Sequence, residues 1–558
     1  MTSAVAAPAF GALLAARADD QQTGLVFDGA AWTWAEVVAE CRARVALLEE
    51  VCGSAAGVHV GVLLDNVPDF VFWLGAASLS GAVVVGLNTT RRGEALAHDV
   101  RHADCAMVVT EQRHLPLLAG LDLGPAGDRV LDVDSPDYRT ALASARASRT
   151  GVVPLPAPDA TLLLLFSSGS TGVPKAVICS QGRLGSLAVA LGERMEIGRE
   201  SVTYLCMPLF HGNAIMTNLA PAAHAGARVV MARRFSASRW LRDVTDHGVT
   251  YWNYVGRALA YVLATDPTPQ DAHTSLRLAY GTEASAADAD RFARRFGCRV
   301  MEGYGASEGV LRINLVPGTP PGSLGRPVGD RVVDIVDEET GRVCEPAVFG
   351  SGGALLNPDQ AIGQMVVRDG GSAFEGYYAN PAAMADRVRD GDFWTGDLAY
   401  RTADGYFFFA GRTDDWLRVD SENVAVAPIE RVLHRHPDVS LAIVYGVPDP
   451  RTGDQIMVTV ELRPGRSFDP DGWLRFLDAQ PDLGTKWAPR FVRVTAELPN
   501  TGNGKVARSV LRKEGWHCAD PVWVRKAGGY VPLDAAGRER LTNEFAEHGR
   551  TERLVSPS

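Results

Sequence analysis

Short runs rich in β-branched and other apolar residues recur along the first part of the chain, separated by stretches with helical spacing. "HVGVLL" (59–64), "AMVVT" (106–110), "RVLDV" (129–133), "ARVVMA" (227–232) and "CRVMEGY" (298–304) read as buried strands, and "AWTWAEVVAECRARVALLEEV" (31–51) reads as a helix. Parallel strands need a crossover of a dozen or more residues, usually helical, so this alternation predicts an α/β fold with largely parallel sheets. No repeat of fixed period is present. At 558 residues the chain has room for more than one domain and for large cores. The longest apolar stretch, "VFWLGAASLSGAVVVGL" (71–87), is broken by Gly and Ser. A membrane span needs ~20 mostly apolar residues, so this stretch reads as a buried helix running into a buried strand, and no transmembrane segment is expected.

"GYFFFAGRTDDWLRV" (405–419) reads as strand, turn and strand, and the chain beyond it is finer-grained. "PIERVLHRHPDV" and "GWLRFLDAQ" read as helices, "LAIVYGVPD" and "QIMVTVEL" as strands, and "HGRTERLVSPS" as a fraying tail. The expected division is a large N-terminal domain, 1–412, and a small α+β domain, 413–558.

The net charge of −11 leaves no basic surplus to neutralise phosphates, which argues against a nucleic-acid binder. The eight cysteines stand singly, with no C-x-x-C pair, so neither a zinc knuckle nor a disulfide framework is indicated. Scattered thiols fit a reducing cytoplasm. "MTSAVAAPAFGALLAARADD" lacks a basic segment ahead of its apolar part and is not read as a signal peptide.

"FSSGSTGVPKA" (166–176), directly after "TLLLL", is a Ser/Thr/Gly run ending in lysine. It fails the Walker pattern twice, with Pro174 before Lys175 and Ala176 after it. By itself it fits a phosphate-holding loop or a Ser/Gly-rich surface turn. Four further segments bear on the choice: "MPLFHGNA" (207–214), "EGYGASEG" (302–309), "TGDLAYRTADGYFFFAGRTDDWLRVDSENVAVAPIE" (395–430) and "PNTGNGKVAR" (499–508). With the loop, in this order, they resemble the motifs of the adenylate-forming superfamily of acyl-CoA synthetases, peptide-synthetase adenylation domains and firefly luciferase. "RRFSASRWLRDV", "NYVGRALAYVL", "SENV" and "GGYVPLDAAG" resemble its very-long-chain acyl-CoA synthetase and fatty-acid-transport-protein branch.

The resemblance implies ATP, Mg²⁺ and coenzyme A, and a reaction in two halves. A carboxylate attacks the α-phosphate of ATP to give acyl-AMP and pyrophosphate; the thiol then attacks the acyl carbon and AMP leaves. It implies that Ser167, Ser168, Gly169, Ser170, Thr171 and Gly172 cradle phosphate and that Lys175 offsets pyrophosphate charge. Tyr304 would stack on adenine beside Gly281 and Gly305, Ser307 would contact phosphate, and Glu308 would hold Mg²⁺. Asp397 would accept from the ribose hydroxyls, Arg412 would hold ribose or phosphate, and Lys505 would bridge carboxylate and α-phosphate. His211, Trp252, Tyr254, Val255 and Gly256 would line the acyl pocket, with His211 at its mouth. Asp414 would be the hinge of a mobile C-terminal domain, and Ser421 and Glu422 would flank the CoA channel.

Three residues depart from the family pattern. Ala176 replaces Gly, Gln364 stands where Glu is frequent, and Ser421 adds a side chain where Gly precedes "EN". The acyl segment carries no acid, so the expected substrate is an apolar monocarboxylic acid: fatty, steroid or terpenoid. An acyl carrier protein as acceptor, a homodimer and peripheral membrane contact stay open. "GASEG" also fits the nucleophile elbow of an α/β-hydrolase esterase, which leaves the loop and the "GNGK" segment unexplained. A non-catalytic lipid carrier would not need Lys505, Glu308 and Asp397 together.

Overall fold

A computed structural model of the protein describes residues 8–148, 154–167, 175–255, 258–282, 284, 286–350, 355–412, 416–419, 422–450, 454–480, 483, 487–499, 506–526, 528–548, 550–551 and 554. They form two compact units. The first consists of the residues up to Arg312 together with Ser372–Asp386, and the second of Ile313–Gly371 with the described residues from Arg387 onward.

The first unit is built on two sheets. In one, the strands run in the order Val130–Asp132, Met107–Thr110, His59–Leu63, Val83–Gly86, Thr161–Ser167 and Lys175–Ser180. Every neighbouring pair is parallel except the last, an antiparallel hairpin. In the other, Arg299–Gly305, Leu278–Thr282, Tyr251–Val255, Val202–Leu205, Arg228–Met231 and Thr23–Phe27 are parallel neighbours in that order. The expected parallel α/β class is therefore present. The stretch 71–87 is a helix, Pro68–Ser80, leading into the strand Val83–Gly86. Gly81 turns between them at φ +82°, a left-handed cap open to glycine without strain.

One boundary differs from the periodicity reading. Ala30–Thr33 form a strand antiparallel to Thr23–Phe27, and the helix begins only at Trp34. Thr33 and Glu36 make a capping box, Glu36 N–H donating to Thr33 Oγ1 at 3.1 Å and Thr33 N–H to Glu36 Oε2 at 2.7 Å. That reciprocal cap satisfies two helix-end donors and fixes the start. The main core packs Trp34, Phe70, Trp73, Trp240, Trp252 and Phe292 with aliphatic residues from strands and helices.

The second unit is largely antiparallel. Val333–Val336, Gly363–Val367, Asp392–Arg401 and Phe407–Arg412 are successive antiparallel neighbours. Val439–Pro448, Asp454–Leu462, Phe491–Thr495, Val522–Lys526 and Gly529–Pro532 form a second sheet with one parallel pair. The helices Val426–Leu433 and Pro470–Asp478 supply Ile429, Trp473 and Leu477 to one core, while Trp516 and Phe545 belong to another. Leu554, in the tail expected to fray, packs against the latter. Compactness groups 313–412 with later residues: Arg431 donates to Phe409 O and Tyr400 Oη, both at 2.9 Å. The expected boundary at 412/413 falls inside this second compact unit, and residues 413–415 lie outside the described ones. Among the described residues no helix is long and apolar enough to cross a membrane.

Candidate active site

The strands that bracket the Ser/Thr/Gly run, Thr161–Ser167 and Lys175–Ser180, pair antiparallel, with Ser167 opposite Lys175. Residues 168–174, including Ser168, Gly169, Ser170, Thr171 and Gly172, lie outside the described ones. Lys175 is 7% exposed, and its ammonium lies 5.4 Å from the centroid of the Tyr377 ring, a distance at which cation and π face attract.

Glu375–Tyr378 lies along the open side of that hairpin. Ile178 N–H donates to Gly376 O at 3.1 Å, Tyr378 N–H donates to Ala176 O at 2.8 Å, and Val177 and Tyr377 form an antiparallel bridge. Ser180 clamps the segment, its N–H and Oγ donating to the two oxygens of Glu375 at 2.9 and 2.5 Å. Tyr377 then donates its hydroxyl to Glu308 Oε1 at 2.7 Å. Arg183, three residues beyond Ser180, donates to Ile178 O at 3.0 Å and to the Ser307 carbonyl. The lysine of the loop and the 307–308 pair are thus held on one scaffold.

Three parallel strands place Tyr254, Gly281 and Glu302 side by side in register. The Tyr254 ring crosses Gly281 so closely that a Cβ there would sit 2.4 Å from it. Its hydroxyl reaches Glu302, which also accepts from Ala284 N–H at 3.2 Å. Burial, reinforced by the Glu302 charge, pushes the Tyr254 hydroxyl far above its ordinary range, so it stays a donor. Tyr304 follows on the same strand, half-buried, and Gly305 ends it.

Trp252 is fully buried and donates its indole N–H to Cys206 Sγ at 3.3 Å, with Trp240 at 5.0 Å between ring centroids. Val255 closes the strand, half-buried, and Gly256 is outside the described residues. His211 precedes the short helix Gly212–Ala214, where a Cβ on Gly212 would lie 3.2 Å from Leu165 of the loop hairpin. A chain of buried amides supports this turn. Thr203 donates to Asn218 at 2.7 Å, Asn218 to Asn253 at 2.7 Å, and Asn253 to Asn213 at 2.7 Å. Each amide that donates also accepts, which is how buried polar groups avoid the cost of going unpaired.

In the second unit Asp397 is 7% exposed on the strand Asp392–Arg401, directly opposite Arg412. Its N–H donates to Thr395 Oγ1 at 3.1 Å, and Thr395 donates to Met365 O at 2.9 Å. Gln364 is buried beside Glu338, its amide 3.5 Å from the carboxylate. Glu422 opens the strand Glu422–Ala425, while Asp414, Ser421 and Lys505 lie outside the described residues.

Sequence reasoning did not find Tyr377, Glu375, Arg183 or Glu302 as site residues. Only the Ser180 cap, three residues before Arg183, left a local trace; the rest meet through long-range pairing. Asp65, Glu111 and His114 bring ligand-type atoms within 4.8 Å of one another. Arg233 bonds Glu111 and Arg113 lies 3.1 Å from Asp65, so this group reads as an ion-pair network.

Residues 14–378 match the family model described as AMP-binding enzyme, and 428–505 match the AMP-binding enzyme C-terminal domain. The chain is 48% identical over 539 residues to a steroid-22-oyl-CoA synthetase of Rhodococcus jostii, covering 96% of each chain. It is 44% identical over 500 residues to a medium/long-chain-fatty-acid CoA ligase of Mycobacterium tuberculosis, covering 90% of this chain and 95% of that one. The solved anthranilate CoA ligase in complex with anthranoyl-AMP shares its fold, at TM-score 0.79 and 23% identity over 91% of this chain and 97% of that one. The chain belongs to the AMP-binding enzyme family, the adenylate-forming superfamily whose motifs run through it from the Ser/Thr/Gly loop to "GNGK".

Proposed function

We propose that this enzyme is an AMP-forming acid–thiol ligase that activates a bulky apolar carboxylic acid with ATP and passes the acyl group to coenzyme A. The observation that carries this reading is 48% identity over 96% of both chains to a steroid-22-oyl-CoA synthetase. A steroid side-chain acid or a medium-to-long fatty acid is the substrate class.

In the first half, a carboxylate oxygen bonds to the α-phosphorus and the bond to the β-phosphate oxygen breaks. The protein's part is positioning and charge neutralisation. Lys175 offsets pyrophosphate charge, Tyr304 and Gly281 take adenine, and Asp397 and Arg412 take ribose. Lys505 draws the two anions together. Mg²⁺ suits Glu308: the hard carboxylate is half-buried, and with one oxygen bonded to Tyr377 it keeps acceptor capacity for a cation. When bound, the ion offsets phosphate charge. In the second half, the thiol sulfur bonds to the acyl carbon, the acyl–oxygen bond to AMP breaks and the thiol proton is released. Domain rotation about Asp414 withdraws Lys505 and presents Ser421 and Glu422 to the thiol.

An amino acid substrate would need a carboxylate for its ammonium, because a buried unpaired charge is costly. Glu302 is the acid beside Tyr254, and it is engaged by that hydroxyl and by Ala284 N–H. Pyrophosphate release across a panel of acids, with and without CoA, tests the reading. Steroid and long-chain acids should lead, acetate and amino acids should fail, and the reverse order would overturn it.

A further inference from the structure

Ser372–Asp386 belongs to the first unit although the residues on either side of it in the chain belong to the second. This short excursion is tied to the phosphate hairpin by main-chain bonds and by the Ser180–Glu375 clamp. Its one aromatic side chain that reaches both candidate charge-handling groups is Tyr377. It is 6% exposed, with Phe374 edge-on at 4.9 Å. Its hydroxyl donates to Glu308 Oε1 at 2.7 Å, and its ring lies 5.4 Å from the Lys175 ammonium.

We propose that Tyr377 is a positioning residue for the metal–nucleotide complex, its hydroxyl orienting the Glu308 carboxylate while its ring flanks Lys175. The proposal rests on the reading of Glu308 as the Mg²⁺ ligand. A carboxylate on a flexible side chain loses rotamer freedom when it binds a cation. A donor bonded to one oxygen removes part of that loss beforehand and leaves the carboxylate able to accept elsewhere. Groups that orient metal ligands in this way typically change metal affinity 10–100-fold when removed. The Lys175 contact gives the same side chain a second role: the positive and negative groups expected at the phosphates share one rigid support. The main-chain pairing of 376–378 with 176–178 holds that support in place, so the tyrosine does not depend on nucleotide for its position.

The test is Tyr377→Phe, which keeps the ring and removes the hydroxyl, alongside Glu308→Gln and the double variant. Binding of Mg²⁺–ATP is followed by calorimetry at varied Mg²⁺, with the Mg²⁺ dependence of pyrophosphate exchange and the thermal midpoint measured in parallel. Tyr377→Phe should raise the Mg²⁺ concentration for half-saturation about 10-fold, leave ATP binding without metal unchanged, and melt close to wild type. Added to Glu308→Gln it should change the metal dependence no further. If Glu308→Gln shifts the Mg²⁺ requirement and Tyr377→Phe does not, the proposal fails. It fails equally if the two changes simply add. If Glu308→Gln leaves the metal requirement untouched, the assignment of Glu308 itself is overturned.

Discussion

Asp397 and Arg412 sit opposite one another on neighbouring antiparallel strands, fifteen positions apart in sequence and adjacent in the ladder. In the proposed function Asp397 accepts from the ribose hydroxyls of the nucleotide. We expect Asp397→Asn to weaken AMP binding roughly 10–100-fold, since a hydrogen bond to a charged acceptor is worth about 1.5–3 kcal/mol. Calorimetric titration with AMP checks this, and an unchanged affinity would remove Asp397 from the nucleotide site.

Gly281→Ala should destabilise the first unit. A Cβ would press on the Tyr254 ring at 2.4 Å, and the ring cannot retreat without losing Glu302. Overpacking of this kind costs about 1–3 kcal/mol. A lowered thermal midpoint, partly restored when Tyr254→Leu is added, is the expected outcome. A midpoint equal to wild type would mean that the three-strand register is looser than described.

Much of the architecture was legible because it is periodic. The strands at 59–63, 107–110 and 228–231 follow from local apolar runs, and the helix-into-strand reading of 71–87 from the Gly81 break. The start of the Trp34 helix was misplaced because Ala30–Thr33 carry their apolar character into a strand pairing that periodicity does not register. The residues proposed for the nucleotide rest on motif resemblance. Tyr377 was not: its function follows from pairing with Val177 and bonding to Glu308, contacts between positions far apart in sequence. Glu302 lay in plain view beside "GYGASEG", but its partner Tyr254 is two strands away, reached across Gly281.

Asp99, on the helix Gly93–His102, is 1% exposed and paired with Arg91 Nε at 2.8 Å. Burial pushes its carboxyl up to about 6, against a smaller pull from Arg91. In the unfolded chain an aspartate titrates near ~3.9, so the folded state binds this proton more tightly. The resulting stability is present below that value, is lost as pH rises through about 6, and is absent above it. Asp99→Asn should therefore melt higher than wild type at pH ~7.5, by on the order of 2 kcal/mol, and the gap should close below pH ~4. A gap that is independent of pH would contradict the assignment.

Lys505→Ala should cripple adenylation by ~10²–10³, the cost of one preorganised charge at a transition state, while preformed acyl-AMP and CoA still give thioester. Asp414→Pro should do the opposite, because proline fixes φ near about −65° and stiffens the hinge. Separate assays of the two halves check both variants. Equal losses in both halves would end the proposed division of labour.

Product identity in a single turnover distinguishes an adenylating ligase from the alternatives. Wild-type enzyme mixed with ATP, Mg²⁺ and a steroid side-chain acid, without CoA, should yield enzyme-bound acyl-AMP and free pyrophosphate. Added CoA should then convert the acyl-AMP to acyl-CoA and AMP, all identified by mass spectrometry. ADP and phosphate as products, or a thioester formed with no acyl-AMP preceding it, would contradict the account.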